Sequence, residues 1–276
     1  MSRARGIAAA SVLTLVALPF VSADAGHAAP AGKAAPAKPG SSSAKLSPAP
    51  KACDPRTFKI ILDVGHTSEA QGATSARNDA EFGFNLHLTR LIGARLESAG
   101  FAATRVLVTD GKARPSLLRR VGSANDAHAD IVLSIHHDSV PDKLLDEWEF
   151  EGARSHFCDR FSGHSLFVSG RNPHFAASLA FAKRLGRELK EKGLRYATQY
   201  TLPLMGRYRH ELLDRDVGVY RYDGLVVLSQ TRSAAVLLEA GSIINRDEEM
   251  AMHSPERQGL IATAVVAAMR AYCERR

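Results

Sequence analysis

The chain has 276 residues, 45% of them hydrophobic, and a formal net charge of +7, which suits a folded protein and excludes a disordered polyelectrolyte. Residues 1–52 hold Arg3, Arg5, Lys33, Lys38, Lys45 and Lys51 against Asp24, a balance of +5, so residues 53–276 carry only +2. A basic nucleic-acid-binding face is thereby excluded from the folded part, and no nucleic-acid partner is expected.

The chain opens with a basic head, Met-Ser-Arg-Ala-Arg, and runs apolar from Ile7 to Val21 before the small residues Ser22, Ala23 and Ala25. This order describes a secretory signal peptide over 1–23, with Ala25 or Ala29 as other cleavage points. The apolar run is too short for a comfortable membrane span. Export to the periplasm or the extracellular space is expected, with no stable membrane span after cleavage. Residues 24–55 are rich in Ala, Pro and Lys. They bury too little apolar surface to offset their ordering entropy and read as a flexible linker. Residues 56–276 are then long enough for one α/β domain with a sizeable core.

Phe58–His66 is a short apolar run that ends in Gly65 and His66. It reads as a buried strand, and its carboxyl end is where ligands bind in an open α/β sheet. Asp79–Gly100 has the apolar spacing of a helix, with Asn78 or Asp79 as its cap and Glu81 in its first turn. Ala103–Val108 is a second strand and Arg114–His128 a second helix. Asp130–Ile135 is a third strand, with His136-His137-Asp138 at its end. Strand, helix, strand, helix, strand implies parallel neighbours, which brings His136 to the same rim as His66. Val140–Ser162 has no clean periodicity. Gly163–Ser169 returns to strand, Pro173–Lys192 to helix, and Gly193–Arg221 is irregular. Leu225–Ser229 and Ala234–Glu239 read as two more strands, and Pro255–Cys273 as the last helix.

His66, Glu81 and His136 thus converge. Two imidazoles and one carboxylate form a common catalytic zinc set, with a fourth position left for water. Zn2+ is the expected cofactor. A separate carboxylate must then move the proton, and Glu239, at a strand end, fits that role. Glu81 has a plainer explanation, since a glutamate is favoured at a helix N-terminus. His137 is the alternative to His136: adjacent strand residues face opposite ways, so one of the two reaches a common metal, and His136 is preferred. Asp63 is either a ligand or an orienting group. His87, His128, His174 and His253 lie on helices or their ends and read as surface or packing histidines. No phosphate loop and no G-x-S-x-G nucleophile elbow occurs.

The order of these residues carries a resemblance. Leu62-Asp63-Val64-Gly65-His66, Gly72-Ala73 and Glu81 are followed by Leu117-x-x-Arg120-x-x-x-Ala124-Asn125-x-x-x-Ala129-Asp130. Then come Ser134-Ile135-His136 and Val236-Leu237-Leu238-Glu239-x-Gly241-x-x-x-Asn245. Across residues 56–276 this resembles the zinc-dependent N-acetylmuramoyl-L-alanine amidases of the amidase-3 type. The resemblance implies a twisted, mostly parallel sheet of about six strands flanked by helices. It implies zinc on His66, Glu81 and His136, with Glu239 catalytic. The implied partner is peptidoglycan or muropeptides, cut between N-acetylmuramic acid and L-alanine. Val64, Thr67-Ser68, Asp138 and Ser242 stand where the family usually has Pro, Gly-Gly, Asn and an aromatic residue. These departures bear on substrate detail rather than on the chemistry.

Two other functions are compatible with the residues. One is a zinc carboxypeptidase acting on wall peptides, which would need a cation such as Arg77, Arg207 or Arg209 for the substrate carboxylate. The other is an inactive peptidoglycan-binding or regulatory protein. A regulatory partner, if there is one, has no sequence signature. Val140–Ser162 carries Trp148 and Phe150 among Glu147, Glu149 and Glu151. It reads as a solvated loop, as a wall of the substrate groove, or as a plug whose glutamate reaches the zinc. Three cysteines are present, and export favours an oxidised pair. Cys53 and Cys273 flank the domain, and domain ends often lie close together, so these two are the favoured pair. The alternatives are three free thiols or a pair that uses Cys158.

Overall fold

The computed structural model describes residues 53–274. The expected signal peptide and nearly all of the expected linker lie outside the described residues. In chain order the elements are β1 (Ile60–Val64), α1 (Glu81–Ser98), β2 (Thr104–Leu107), α2 (Ala113–Asp126) and β3 (Ile131–Asp138). Then come β4 (Asp146–Phe150), β5 (Ala153–Phe157), β6 (Ser165–Val168), α3 (Phe175–Glu191), β7 (Glu211–Asp214) and β8 (Val219–Arg221). α4 (Val226–Gln230), β9 (Ala234–Ser242), α5 (Arg246–His253) and α6 (Pro255–Cys273) complete the domain. No helix among the described residues is long and apolar enough to cross a membrane.

Seven strands form one sheet in the order β2-β1-β3-β9-β6-β8-β7. The pairs from β2 to β9 are parallel, β6 runs antiparallel to β9, and β8 runs parallel to β6. Central strands are covered on both faces, which is why β1 and β9 read as nearly continuous apolar runs rather than alternating ones. Side chains alternate across the sheet. Ile60, Leu62, Leu133 and Leu238 enter one core with residues of α1, α3 and α6. Ile61, Val132, Leu237 and Phe167 enter a second core, beneath Tyr200, Met205 and Leu228.

The sequence reading and the structure differ in four places. Leu225–Ser229 was expected as a strand and is instead α4, closed by Thr231 donating its hydroxyl to the Val227 carbonyl at 2.6 Å. A four-residue apolar run has no period that separates strand from helix. The strands beyond β9 are β6, β8 and β7, the last two from a segment read as irregular, and the sheet has seven strands where about six were expected. Val140–Ser162 contains the antiparallel hairpin β4–β5 instead of an unstructured loop. Neither Asn78 nor Asp79 caps α1; the capping position is Ala80, without a side-chain bond.

Below the rim sits a buried ion pair. Arg120 lies 2.9 Å from Asp63, and Ser134 donates its hydroxyl to the other Asp63 oxygen at 2.7 Å. The same guanidinium donates to the carbonyls of Val64 and His66. Asp63 is therefore no metal ligand; it holds the arginine that grips the turn after β1.

Cys53 and Cys273 are joined, with Cα atoms 5.2 Å apart, and Cys158 is free and buried. The bridge spans 220 residues, and the chain-entropy account assigns about 5 kcal/mol to a loop of that size. Thiol titration of the denatured, unreduced protein should find one thiol, and reduction should lower the denaturation midpoint. His164 is buried at the start of β6, and burial pushes its pKa down to about 4. Its unfolded-state value is near 6.5. The stability this contributes is complete above pH ~6.5 and is lost as pH falls toward ~4, because the unfolded chain takes the proton first. Urea titrations across this window should show the loss. His164→Asn should reduce the slope by up to about one proton.

Candidate metal centre

His66 follows the end of β1, in the left-handed region at φ 65°. Such a conformation is uncommon for a residue with a side chain, and the Arg120 bonds to the turn support it. Glu81 opens α1 and is buried. His136 lies near the end of β3, next to Glu239 in the β3–β9 register. The three side chains of His66, Glu81 and His136 have their ligand-type atoms within 4.8 Å of one another.

Glu81 is shared between the two rings. Its Oε2 lies 3.0 Å from His66 Nε2, and its Oε1 lies 3.0 Å from His136 Nδ1. The backbone N–H of Ala73 donates to Oε2 at 3.0 Å, and the Asn85 amide donates to Oε1 at 3.0 Å. Burial alone would raise this carboxyl, but the His136 and His66 rings outweigh it and hold it well below the usual carboxylate range. Two glycines make the cluster possible. A Cβ on Gly65 would strike the His136 ring, and one on Gly72 would strike Glu81 and His66.

His137 faces the opposite way. It packs against Phe84, and its Nδ1 lies 2.8 Å from the Asn85 Oδ1. Burial pushes its pKa down to about 3, so it stays neutral. Asn85 thus joins Glu81 to His137 from one turn further along α1. A second gathering of ligand-type atoms consists of Asp79, Glu249 and His253. There Arg77 donates to both Glu249 oxygens, so a cation is already paired with it.

Glu239 lines the same cavity as His66, Glu81 and His136, which measures about 720 Å³. Its Oε2 is enclosed and has no hydrogen-bond partner among the described residues. Burial, with Asp138 and Glu81 nearby, raises its pKa well above the usual carboxylate value. Asp138 accepts from Tyr200 Oη at 2.6 Å, Gln199 Nε2 at 3.1 Å and the Ser139 N–H at 2.8 Å. Burial pushes the Asp138 carboxyl up to about 7. Sequence reasoning missed this network, because Gln199 and Tyr200 come from a segment without periodicity.

The hairpin β4–β5 does not wall this cavity. Trp148 donates its indole N–H to the Ala76 carbonyl at 2.9 Å and stacks with Phe150. Arg77 and Arg246 lie over its ring at 5.6 and 5.1 Å. Glu147 pairs with Arg154 across the hairpin. None of Glu147, Trp148, Glu149, Phe150 or Glu151 lines the cavity, so neither the groove wall nor the plug is formed by them. Only the start of the segment, Ser139–Lys143, reaches it. Strand alternation explains this, because it turns Trp148 and Ser155 together onto the 76–78 loop.

Solved structures share this fold. N-acetylmuramyl-L-alanine amidase Ami1 from Mycobacterium smegmatis aligns at TM-score 0.60 and 19% identity, covering 80% of this chain and 98% of its own. An N-acetylmuramoyl-L-alanine amidase from Clostridium difficile 630 aligns at TM-score 0.57 and 18% identity, covering 78% and 96%. The CwlD amidase from Clostridioides difficile, solved in complex with the GerS lipoprotein, aligns at TM-score 0.57 and 20% identity, covering 79% and 100%. No curated protein matches the chain. Residues 60–271 match the family described as Amidase_3, N-acetylmuramoyl-L-alanine amidase. That stretch contains His66, Glu81, His136 and Glu239, and on its evidence the chain belongs to the Amidase_3 family of N-acetylmuramoyl-L-alanine amidases.

Proposed function

We propose that this protein is a secreted zinc amidase. It cuts the amide between the lactyl group of N-acetylmuramic acid and L-alanine, in peptidoglycan or in its soluble fragments. The observation that carries this reading is the gathering of His66, Glu81 and His136 beside Glu239 in one cavity. Two imidazole nitrogens and one carboxylate suit zinc, and three such donors leave a tetrahedral ion one position for water. These three residues would hold the ion. When bound, zinc polarises the scissile carbonyl and acidifies water.

The rest is done by the chain. Glu239 takes the proton of the attacking water and passes it to the leaving nitrogen of L-alanine. Its enclosed Oε2, which has no hydrogen-bond partner among the described residues, is free to accept that proton. Asn85 keeps the Glu81 carboxylate oriented, and Arg120 keeps His66 in its turn.

Residues 1–23 act as the export signal, residues 24–55 as the tether, and residues 56–276 as the catalytic domain. The family match, which begins at residue 60, supports this last boundary. The intact mature protein should begin at Asp24, and mass measurement of its N-terminus checks that. The working place is the periplasm or the extracellular space, and any regulatory protein would act there.

Purified protein should hold one zinc per chain. His66→Ala, Glu81→Ala and His136→Ala should each lose most of the metal and the activity, read by metal analysis and by product mass. The expected product from a muropeptide is a free stem peptide. A trimmed peptide would indicate a carboxypeptidase instead, and no product would indicate a binding protein. Glu239→Gln should retain the metal while turnover falls by about a hundredfold or more. Loss of zinc in that variant would make Glu239 a ligand and overturn the role given to it.

A further inference from the structure

The cavity has two ends of opposite charge. Its floor carries the carboxylates of Glu81, Asp138 and Glu239. Its lip carries Lys143 and Arg207, which arrive from separate loops. The Lys143 ammonium lies against the 206–207 segment, 3.8 Å from where a Cβ on Gly206 would stand. The Arg207 guanidinium lies 4.9 Å above the neighbouring Tyr208 ring and 2.8 Å from its hydroxyl. Among the described residues neither cation has a carboxylate partner. Asp142 lines the same lip but forms no ion pair with Lys143. Two cations without a carboxylate partner on the lip of one cavity are a site for an anion.

Between floor and lip the wall is aromatic. Phe167, Tyr200, His210 and Tyr222 pack ring against ring, His210 and Tyr222 at 4.1 Å and Phe167 and Tyr200 at 5.1 Å. An apolar wall with a few placed charges is how small-ligand sites are built. On the other side of Ala73 and Ser139 lies a smaller cavity of about 260 Å³. It offers Thr74, Ser75, Asn78 and His156, with Asp142 at the border it shares with the main cavity, but neither Lys nor Arg, so it has no cation for a carboxylate. The two sides therefore suit different halves of one substrate. Hydroxyl and amide groups suit a neutral sugar, and the cationic lip suits the half that bears a carboxylate, which is the peptide.

Sequence reasoning raised Arg77, Arg207 and Arg209 as possible carboxylate holders. The structure separates them: Arg77 is bound to Glu249, Arg209 is outside the cavity, and Arg207 is on its lip.

We propose that Lys143 and Arg207 form a clamp for a free carboxylate of the stem peptide, on the L-alanine side of the scissile bond. The proposal rests on the amidase reading and adds a substrate preference to it. Peptides that keep this charge bind better than those in which it is amidated or cross-linked. The clamp sets affinity, while the proton chemistry stays with Glu239.

The test uses the zinc-loaded full chain and three N-acetylmuramoyl-L-alanyl peptides: the free acid, its C-terminal amide and its side-chain amide. Arg207→Gln and Lys143→Gln should each raise KM for the free acid by about tenfold, as loss of one charge-assisted contact does, with kcat within about twofold. Arg207→Lys should recover most of the loss. One of the two amides should bind the wild type poorly and ignore both substitutions, and it identifies which carboxylate is held. Arg209→Gln, outside the cavity, is the control and should change nothing. Equal KM for all three peptides, or equal effects of the substitutions on all three, would overturn the clamp. If the wild type cleaves none of them, the amidase reading fails by itself. The clamp is then decided by calorimetry of the free acid on the Glu239→Gln protein, with and without Arg207→Gln. A tenfold weaker affinity supports it, and an unchanged affinity overturns it.

Discussion

The site turns on one buried carboxylate. Glu81 is almost wholly buried, so its charge must be met by the groups around it. Two imidazoles, the backbone N–H groups of Ala73 and His137 and one side-chain amide meet it. The partners come from four stretches of chain: the turn after β1, the loop before α1, the next turn of α1 and the end of β3. A charge in that position obliges four segments to converge. It also explains why Gly65 and Gly72 must lack side chains, since any Cβ there would occupy the space the rings use.

Such convergence needs a rigid base, and the base is polar. The Asp63–Arg120 pair lies between β1 and α2, buried, where a lone charge of either sign would be strongly destabilising. Arg120 also donates to the carbonyls of Val64 and His66, while its Nε is buried without a hydrogen-bond partner among the described residues. Ser134 completes Asp63 from the neighbouring strand. The pair therefore translates the register of β1 against β3 into the position of His66. It is better understood as a device of placement than as a source of stability.

The outer part of the cavity is made differently. It uses aromatic rings from β6 and from the 200–222 region, together with cations on two exposed loops. Loops of this kind vary more freely than the strands that position them. The arrangement separates chemistry, fixed at strand ends, from selection, carried at the lip. The hairpin β4–β5 stands apart from the chemistry, and its His156 borders only the smaller cavity. Its Trp148, Arg77 and Arg246 stack brace the loop that leads into α1.

Much of this was legible in the residues. The buried runs of β1, β3 and β9 are strands by composition, because a central parallel strand is apolar on both faces. Their carboxyl ends bear His66, His136 and Glu239, so the rim and its donors follow from strand order. The α1 position of Glu81 follows from helical spacing, and the Cys53–Cys273 pairing from the closeness of domain ends. Tertiary structure decided the rest. The run at Leu225–Ser229 became a helix because four apolar residues have no period, and the sheet edge was supplied by β8 and β7 instead. Whether Trp148 met substrate or its own protein depended on which way a hairpin faced. Asp138 found Tyr200 and Gln199 about sixty positions away, and Lys143 met the 206–207 segment across a similar gap. Local sequence carries periodicity and strand ends, whereas contacts between irregular segments are settled only when the chain closes around its core.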